Sequence, residues 1–118
     1  QIQRTYFDRS DYGSQIIQHV GNALDIIPKF DITFDLIFID AEKKQYDNFL
    51  EAVLPKTKSG SVILSDNVLW SGKVVEPLDP KDVTTKVLLD YNKKLSEHPL
   101  LETVLLPIRD GLTLSRVK

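Results

Sequence analysis

The sequence contains neither cysteine nor methionine. Without cysteine, neither a disulfide framework nor a thiolate metal site can form, and the absence agrees with an expected cytoplasmic location. The chain opens Gln1-Ile2-Gln3-Arg4 rather than on methionine, so the expectation is a piece of a longer polypeptide. Basic residues never cluster beyond the pairs Lys43-Lys44 and Lys93-Lys94, and the formal charge is −2. That balance argues against nucleic acid and against an anionic membrane as partners. No apolar stretch is long enough to span a bilayer, and no signal-peptide pattern is present.

What is there is ordinary material for one globular core: 118 residues, 42% apolar and 27% charged. The informative stretch is Phe34-Asp35-Leu36-Ile37-Phe38-Ile39-Asp40. Its apolar run from Leu36 to Ile39 stops at a carboxylate, as a strand buried in a parallel sheet does when it delivers an acid to the sheet's carboxyl edge. Open α/β sheets bind ligands at that edge. Val62-Ile63-Leu64-Ser65-Asp66-Asn67 repeats the design.

Around these strands, residues 1 to 12 read as the end of a helix, and Gln15 to Val20 as a short strand. Asp25 to Phe30 reads as a helical segment kept brief by Pro28. Tyr46, Phe49, Leu50, Val53 and Leu54 recur at helical spacing, which predicts a crossover helix over Lys44 to Leu54 that Pro55 ends. Strand, helix and parallel strand make a βαβ unit. Val68 to Pro80 reads as a long loop, and long ordered loops at a sheet edge tend to be functional. A second amphipathic helix runs from Asp82 to Glu97. The chain closes with a hairpin, Thr103 to Ile108 and Leu112 to Val117, turning at Arg109-Asp110-Gly111. Leu112 and Leu114 alternate with Thr113 and Ser115, which predicts a polar face and a place near the sheet edge.

Asp40, Asp66 and Asn67 form an all-oxygen set suited to Mg²⁺, Ca²⁺ or Mn²⁺ rather than zinc. The alternative is that both aspartates merely cap the segments that follow. Lys43 lies three residues past Asp40; partly desolvated beside a metal, it would have a lowered pKa and serve as a general base. The alternative is a surface lysine. Trp70, the only tryptophan, either walls a pocket for a flat substrate or covers the end of the sheet. His19 and His98 read as structural.

Four stretches resemble one family in order and spacing. They are Gly21-Asn22-Ala23-Leu24-Asp25-Ile26-Ile27-Pro28; Phe38-Ile39-Asp40-Ala41-Glu42-Lys43-Lys44-Gln45-Tyr46; Ser65-Asp66-Asn67-Val68-Leu69-Trp70-Ser71-Gly72-Lys73-Val74; and Leu106-Pro107-Ile108-Arg109-Asp110-Gly111-Leu112-Thr113-Leu114. Together they look like the cation-dependent O-methyltransferases of the caffeoyl-CoA and catechol type. The resemblance implies that Asp40, Asp66 and Asn67 hold a divalent cation, Mg²⁺ first and Ca²⁺ or Mn²⁺ otherwise. It implies that Lys43 takes a hydroxyl proton, and that the phenolate then attacks the methyl of S-adenosylmethionine. Asn22 and Ala23 would meet the adenine edge, Asp40 would lie near the cofactor's methionyl part, and Trp70 would line the acceptor pocket. The implied partner is a small hydroxylated aromatic substrate, and the implied assembly a homo-oligomer, expected as a dimer.

Two departures stand out. Glu42 occupies a position where the family often has Asp. More seriously, no G-x-G loop occurs anywhere in the chain. The implied fold is therefore α/β, an incomplete Rossmann-like methyltransferase fold: a single domain over 1–118, the C-terminal part of a class I methyltransferase domain. It has the family's strands 3–7 with the C-terminal antiparallel hairpin, while strands 1 and 2 are missing. In the family's sheet order, 3-2-1-4-5-7-6, their loss strips strand 3 of its partner and leaves one edge of strand 4 open. Half the cofactor site would be absent, so the fragment is expected to be inactive. Two other readings stand beside this one: a non-catalytic methyltransferase-like interaction module, and a receiver-type signalling domain. The second lacks its acidic pair and its later strand-ending lysine.

Overall fold

The computed structural model describes residues 2–118; Gln1, part of the predicted first helix, lies outside them. Four strands form one sheet in the order β1-β2-β4-β3, with β1 Leu36–Ile39, β2 Val62–Asp66, β3 Leu101–Leu106 and β4 Leu112–Val117. β1 and β2 are parallel; β4 is antiparallel to both β2 and β3. This is the neighbour order expected for the family's strands 4, 5, 7 and 6. The antiparallel pairings do not fit the parallel sheet of a receiver domain.

The helices are α1 Ile2–Asp8, α2 Ala23–Ile26, α3 Tyr46–Val53 and α4 Val83–Glu97. α3 is the crossover between β1 and β2. It starts two residues later than its periodicity predicts because Lys43–Gln45 forms a 3₁₀ turn first. α4 begins at Asp82, whose carboxylate accepts from the Thr85 amide at 3.0 Å and completes a helix N-cap.

Both long helices cover one face of the sheet. Tyr46 and Leu50 of α3 and Leu88, Tyr91 and Leu95 of α4 bury with Ile39, Ile63, Val68 and Leu101. The opposite face is also apolar, yet uncovered: Leu36 is 61% exposed, Phe38 58% and Val104 57%. Register places these residues on one side with Leu64, Leu112 and Leu114.

Three sequence expectations need correction. The hairpin does lie at the sheet edge, β3 outermost and β4 next to it, but its polar face is the buried one: Thr113 and Ser115 lie under the helices. The cause is a polar seam in the core. Ser65 and Tyr91 share a hydrogen bond of 2.7 Å, and Thr103 and Ser115 one of 2.8 Å, so these hydroxyls are satisfied without water. Second, Gln15 to Val20 is not a strand. Its residues have no sheet neighbour, and a lone strand cannot satisfy its own backbone. The first helix is also shorter than read. α1 ends at Asp8, and Gly13 packs so closely on it that a Cβ there would lie 2.1 Å from the Phe7 carbonyl oxygen.

The segment before β1 is tied to the turn that ends α3 by Lys56, whose Nζ donates to the carbonyls of Pro28 at 3.0 Å and Phe30 at 2.6 Å. His19, Phe30 and Phe34 stack edge to face beside it, which gives His19 the structural place its sequence suggested. No helix among the described residues is long and apolar enough to cross a membrane.

Candidate functional site at the carboxyl ends of β1 and β2

Parallel pairing of Ile39 with Ser65 brings the carboxyl ends of β1 and β2 side by side. Asp40 follows one strand and Asp66 ends the other, so both acids reach the same edge. Neither caps a helix. The residues preceding the 3₁₀ turn and α3 are Glu42 and Gln45, and the Asx helix caps among the described residues are Asn22 and Asp82. Asp40 therefore caps nothing that follows it, while Asp66 Oδ1 accepts only from the adjacent Asn67 amide, at 2.7 Å, and starts no helix.

Lys43 joins the two strand ends. The 3₁₀ turn folds its side chain inward until the residue is only 8% exposed. Its ammonium donates to Tyr46 Oη at 2.5 Å, to Asn67 Oδ1 at 2.9 Å and to Asp40 Oδ1 at 3.2 Å. An ammonium has three donors, and here each has an acceptor. Burial pulls the Lys43 pKa down, but hydrogen bonds to Tyr46 and Asp40 outweigh it, so the net direction is upward. Without a cation beside it, the pocket stabilises the charged lysine; the expected fall was stated for a lysine beside a bound metal.

Tyr46 was legible only as a core position of α3. In the structure it is wholly buried, and its hydroxyl donates to the Asp66 carbonyl at 2.7 Å while accepting from Lys43. Burial raises its pKa, so it stays a neutral phenol.

A polar hollow of about 520 Å³ opens above these groups, lined by Asp40, Asp66, Asn67, Ser71, Arg109 and Asp110. Asn67, Trp70, Ser71 and Arg109 all have left-handed backbones, with φ of 59°, 50°, 55° and 53°. Such conformations in non-glycine residues store strain that the surroundings must hold in place. Asp110 does much of the holding. Its Oδ2 accepts from Asn67 Nδ2 at 3.2 Å, and its Oδ1 accepts from the Ser71 amide at 2.5 Å. Sequence reasoning saw Asp110 only as turn chemistry in a hairpin. The Asp-Gly signal explained it fully at that level, and nothing local pointed across to Asn67.

The donor set is two carboxylates and an amide oxygen, which fits a hard divalent cation and not a soft one. No group of three or more His, Cys, Asp or Glu among the described residues is placed to hold a metal ion, so any cation here would depend on Asn67 as well as on the two acids. Trp70 is half-buried against the core and does not line the polar hollow, although its neighbour Ser71 does.

A second, apolar hollow of about 310 Å³ lies along the open side of β1. Ala23, Phe30, Phe34, Ile37, Asp40 and Phe49 are among its lining residues. Asp40 thus borders both hollows. Ala23 reaches the apolar one, whereas the Asn22 side chain accepts from the Leu24 amide at 3.1 Å as the cap of α2.

Comparison with known proteins agrees with this architecture. A family model described as O-methyltransferase matches residues 1–118. A caffeoyl-CoA O-methyltransferase of Petroselinum crispum is 33% identical over 92% of this chain and 50% of its own length. Caffeoyl-CoA O-methyltransferase 2 of Populus trichocarpa is 39% identical over 75% of this chain and 38% of its own. The chain thus spans half or less of these curated relatives. Among solved structures, the SAH-bound methyltransferase of Podospora anserina superposes with a TM-score of 0.84 at 28% identity, over 98% of this chain and 54% of that one. An O-methyltransferase of Bacillus cereus in complex with SAH gives 0.87 at 25%, over 99% and 57%.

Proposed function

The chain belongs to the O-methyltransferase family, and we propose that it is the C-terminal part of a class I methyltransferase domain. The whole protein would transfer a methyl group from S-adenosylmethionine to a hydroxyl of a catechol-like or caffeoyl-type aromatic acceptor. The observation that carries this reading is the convergence of Asp40, Lys43, Asp66 and Asn67 at one sheet edge, where Lys43 bonds both Asp40 and Asn67. Asp40, Asp66 and Asn67 would hold a divalent cation, with Mg²⁺ favoured by the hard donor set. When bound, such a cation supplies positive charge that acidifies a hydroxyl and fixes its position.

The chain's own residues do the rest. With a cation drawing on Asp40 and Asn67, Lys43 would lose two of the acceptors that now hold its charge, so its Nζ would become able to take the hydroxyl proton, while Tyr46 fixes that nitrogen from below. Ala23 and Asp40 border the apolar hollow along β1, which would take part of the cofactor, with Asn22 at the start of the same helix. Trp70, beside Ser71, would shield the acceptor from water. The relatives bound to SAH and the relatives' caffeoyl-CoA names support this cofactor and acceptor class.

The test is an assay of the full-length protein on catechol and on caffeoyl esters, with and without chelator. Methylation should stop with chelator and return with Mg²⁺. Lys43→Met should lower kcat by about 10²–10⁴. Activity that survives chelation sinks the cation; no methylation of any hydroxylated aromatic sinks the activity itself and favours a non-catalytic module. The 118 residues alone should bind S-adenosylmethionine weakly, because the glycine-rich part of the implied site is outside them. Micromolar binding by calorimetry would contradict that.

A further inference from the structure

Asn67 has an amide whose two ends are nearly the same size but opposite in chemistry: the oxygen accepts and the NH₂ donates. Only its surroundings decide which end points where. On one side stands the Lys43 ammonium, donating to Oδ1 at 2.9 Å; on the other, the Asp110 carboxylate accepts from Nδ2 at 3.2 Å. One neighbour can only donate and the other, as a carboxylate, can only accept. A flipped amide would set NH₂ against ammonium and oxygen against carboxylate, replacing two bonds by two repulsions.

The turn that carries Asp110 is itself locked onto the loop that carries Asn67. The Leu69 amide donates to the Asp110 carbonyl at 2.8 Å, and the Val68 amide to the Gly111 carbonyl at 3.3 Å. Asp110 Oδ1 accepts from the Ser71 amide, so both carboxylate oxygens are engaged by N–H groups. The carboxylate therefore acts on Asn67 and the loop. A role confined to the hairpin would need the backbone bonds alone, and the Asn67 bond would be superfluous.

We infer that Asp110 is a positioning residue: through its contact with Nδ2 it keeps Asn67 Oδ1 facing the Asp40 and Asp66 side of the hollow. The inference rests on the reading of Asp40, Asp66 and Asn67 as a cation site. Asp110 makes that site dependent on the β3–β4 turn, 43 residues away in sequence.

The experiment compares wild type, Asp110→Asn, Asp110→Ala and Asp110→Glu in the full-length protein, with Mn²⁺ as the probe and its affinity read by electron paramagnetic resonance. An asparagine at 110 can keep the Ser71 bond or the Asn67 bond in its present sense, but not both. Asp110→Asn and Asp110→Ala should therefore weaken Mn²⁺ binding about ten- to a hundredfold, as loss of an outer-shell partner does. Asp110→Glu, which keeps an acceptor-only carboxylate, should recover part of it. A second readout is the Asn67 side-chain NH₂ in ¹⁵N spectra without metal: slowed hydrogen exchange in wild type, lost in Asp110→Asn. Unchanged Mn²⁺ affinity in Asp110→Asn, or a Glu variant binding no better than Ala, overturns the inference. If wild type binds no Mn²⁺, the cation reading falls. The Asn67 signals then decide Asp110 separately: unchanged signals in Asp110→Asn overturn its role, and lost protection upholds it.

Discussion

The Lys43 ammonium and the Tyr46 hydroxyl stand 2.5 Å apart at a wholly buried phenol, and the same hydroxyl donates to the Asp66 carbonyl at 2.7 Å. Tyr46 belongs to α3, Asp66 to β2, and Lys43 to the turn after β1. One phenol oxygen therefore ties the crossover helix to both strand ends that carry the acids. The geometry of the site is fixed from beneath, inside the core, before any ligand enters.

Tyr46→Phe keeps the ring and its edge-to-face contact with Tyr91, whose centroid is 5.3 Å away. It removes only the hydroxyl, leaving the Asp66 carbonyl and one Lys43 N–H without a partner. Stranded buried groups of this kind cost about 1–3 kcal/mol. Chemical denaturation of wild type and variant measures the difference directly. Equal midpoints would mean that these bonds contribute nothing.

Tyr91 offers a test of the polar seam at alkaline pH. It is 2% exposed, and burial pushes its pKa up to about 12 despite the hydrogen bond with Ser65. In the unfolded chain a tyrosine ionises near 10. The folded state therefore holds this proton more tightly, its contribution is complete below pH 10, and it is lost as pH rises toward 12. The loss amounts to roughly 3 kcal/mol for a shift of that size. Denaturation midpoints between pH 9 and 12 should fall in wild type and fall less in Tyr91→Phe. Parallel slopes would show that Tyr91 ionises like an exposed phenol.

These tests touch residues that periodicity placed in the core without revealing their chemistry. The strands were legible because Leu36–Ile39 and Val62–Leu64 are uninterrupted apolar runs, and α3 and α4 because their apolar residues recur every turn. Asp40 and Asp66 were legible for the same reason: each ends such a run. Asp110 was not, because its sequence context already accounts for it as a turn residue, and its bond to Asn67 exists only after β4 pairs with β2. Thr113 and Ser115 were misread because alternation equates polar with solvent, whereas here Ser115 bonds the buried Thr103 hydroxyl and Thr113 is buried with no hydrogen-bond partner for its Oγ1. Gln15 to Val20 has strand composition and no strand, since pairing depends on a neighbour that composition cannot supply. The acceptors around Lys43 Nζ were not legible either, since Tyr46, which with Asp40 raises the Lys43 pKa in the metal-free site, read only as a core position of α3.

The open side of β1 makes the 118-residue polypeptide sticky. Among the described residues β1 pairs only with β2, and Leu36 and Phe38 project, 61% and 58% exposed, from the uncovered sheet face. A flat apolar edge of this kind recruits other strands. Light scattering across a concentration series should show self-association of this polypeptide. The double substitution Leu36→Lys, Phe38→Lys should shift it toward monomer. A wild-type polypeptide that stays monomeric at millimolar concentration would show that the edge is protected in another way.

Gly111 provides a way to separate backbone strain from the contact that locks the hairpin onto the loop. Its φ is +83°, and a Cβ there would lie 2.5 Å from Leu69 Cγ and 2.9 Å from the Leu69 backbone nitrogen. Gly72 has nearly the same φ, +81°, with nothing within 4 Å of its Cβ position. Alanine at either position meets the left-handed penalty, about 1–3 kcal/mol at most. Only at 111 must the Leu69 backbone also move, and with it the bond from the Leu69 amide to the Asp110 carbonyl. Overpacking of that sort adds about 1–3 kcal/mol. Gly111→Ala should therefore lower the unfolding free energy by more than Gly72→Ala, and the excess measures the lock. Because the same turn holds Asp110 against Asn67, Gly111→Ala should also disturb the Asn67 side-chain signals, which Gly72→Ala should leave in place. If the two variants lose equal stability, the hairpin touches the loop without holding it, and the strain at Asn67, Trp70 and Ser71 must be borne by the loop's own bonds.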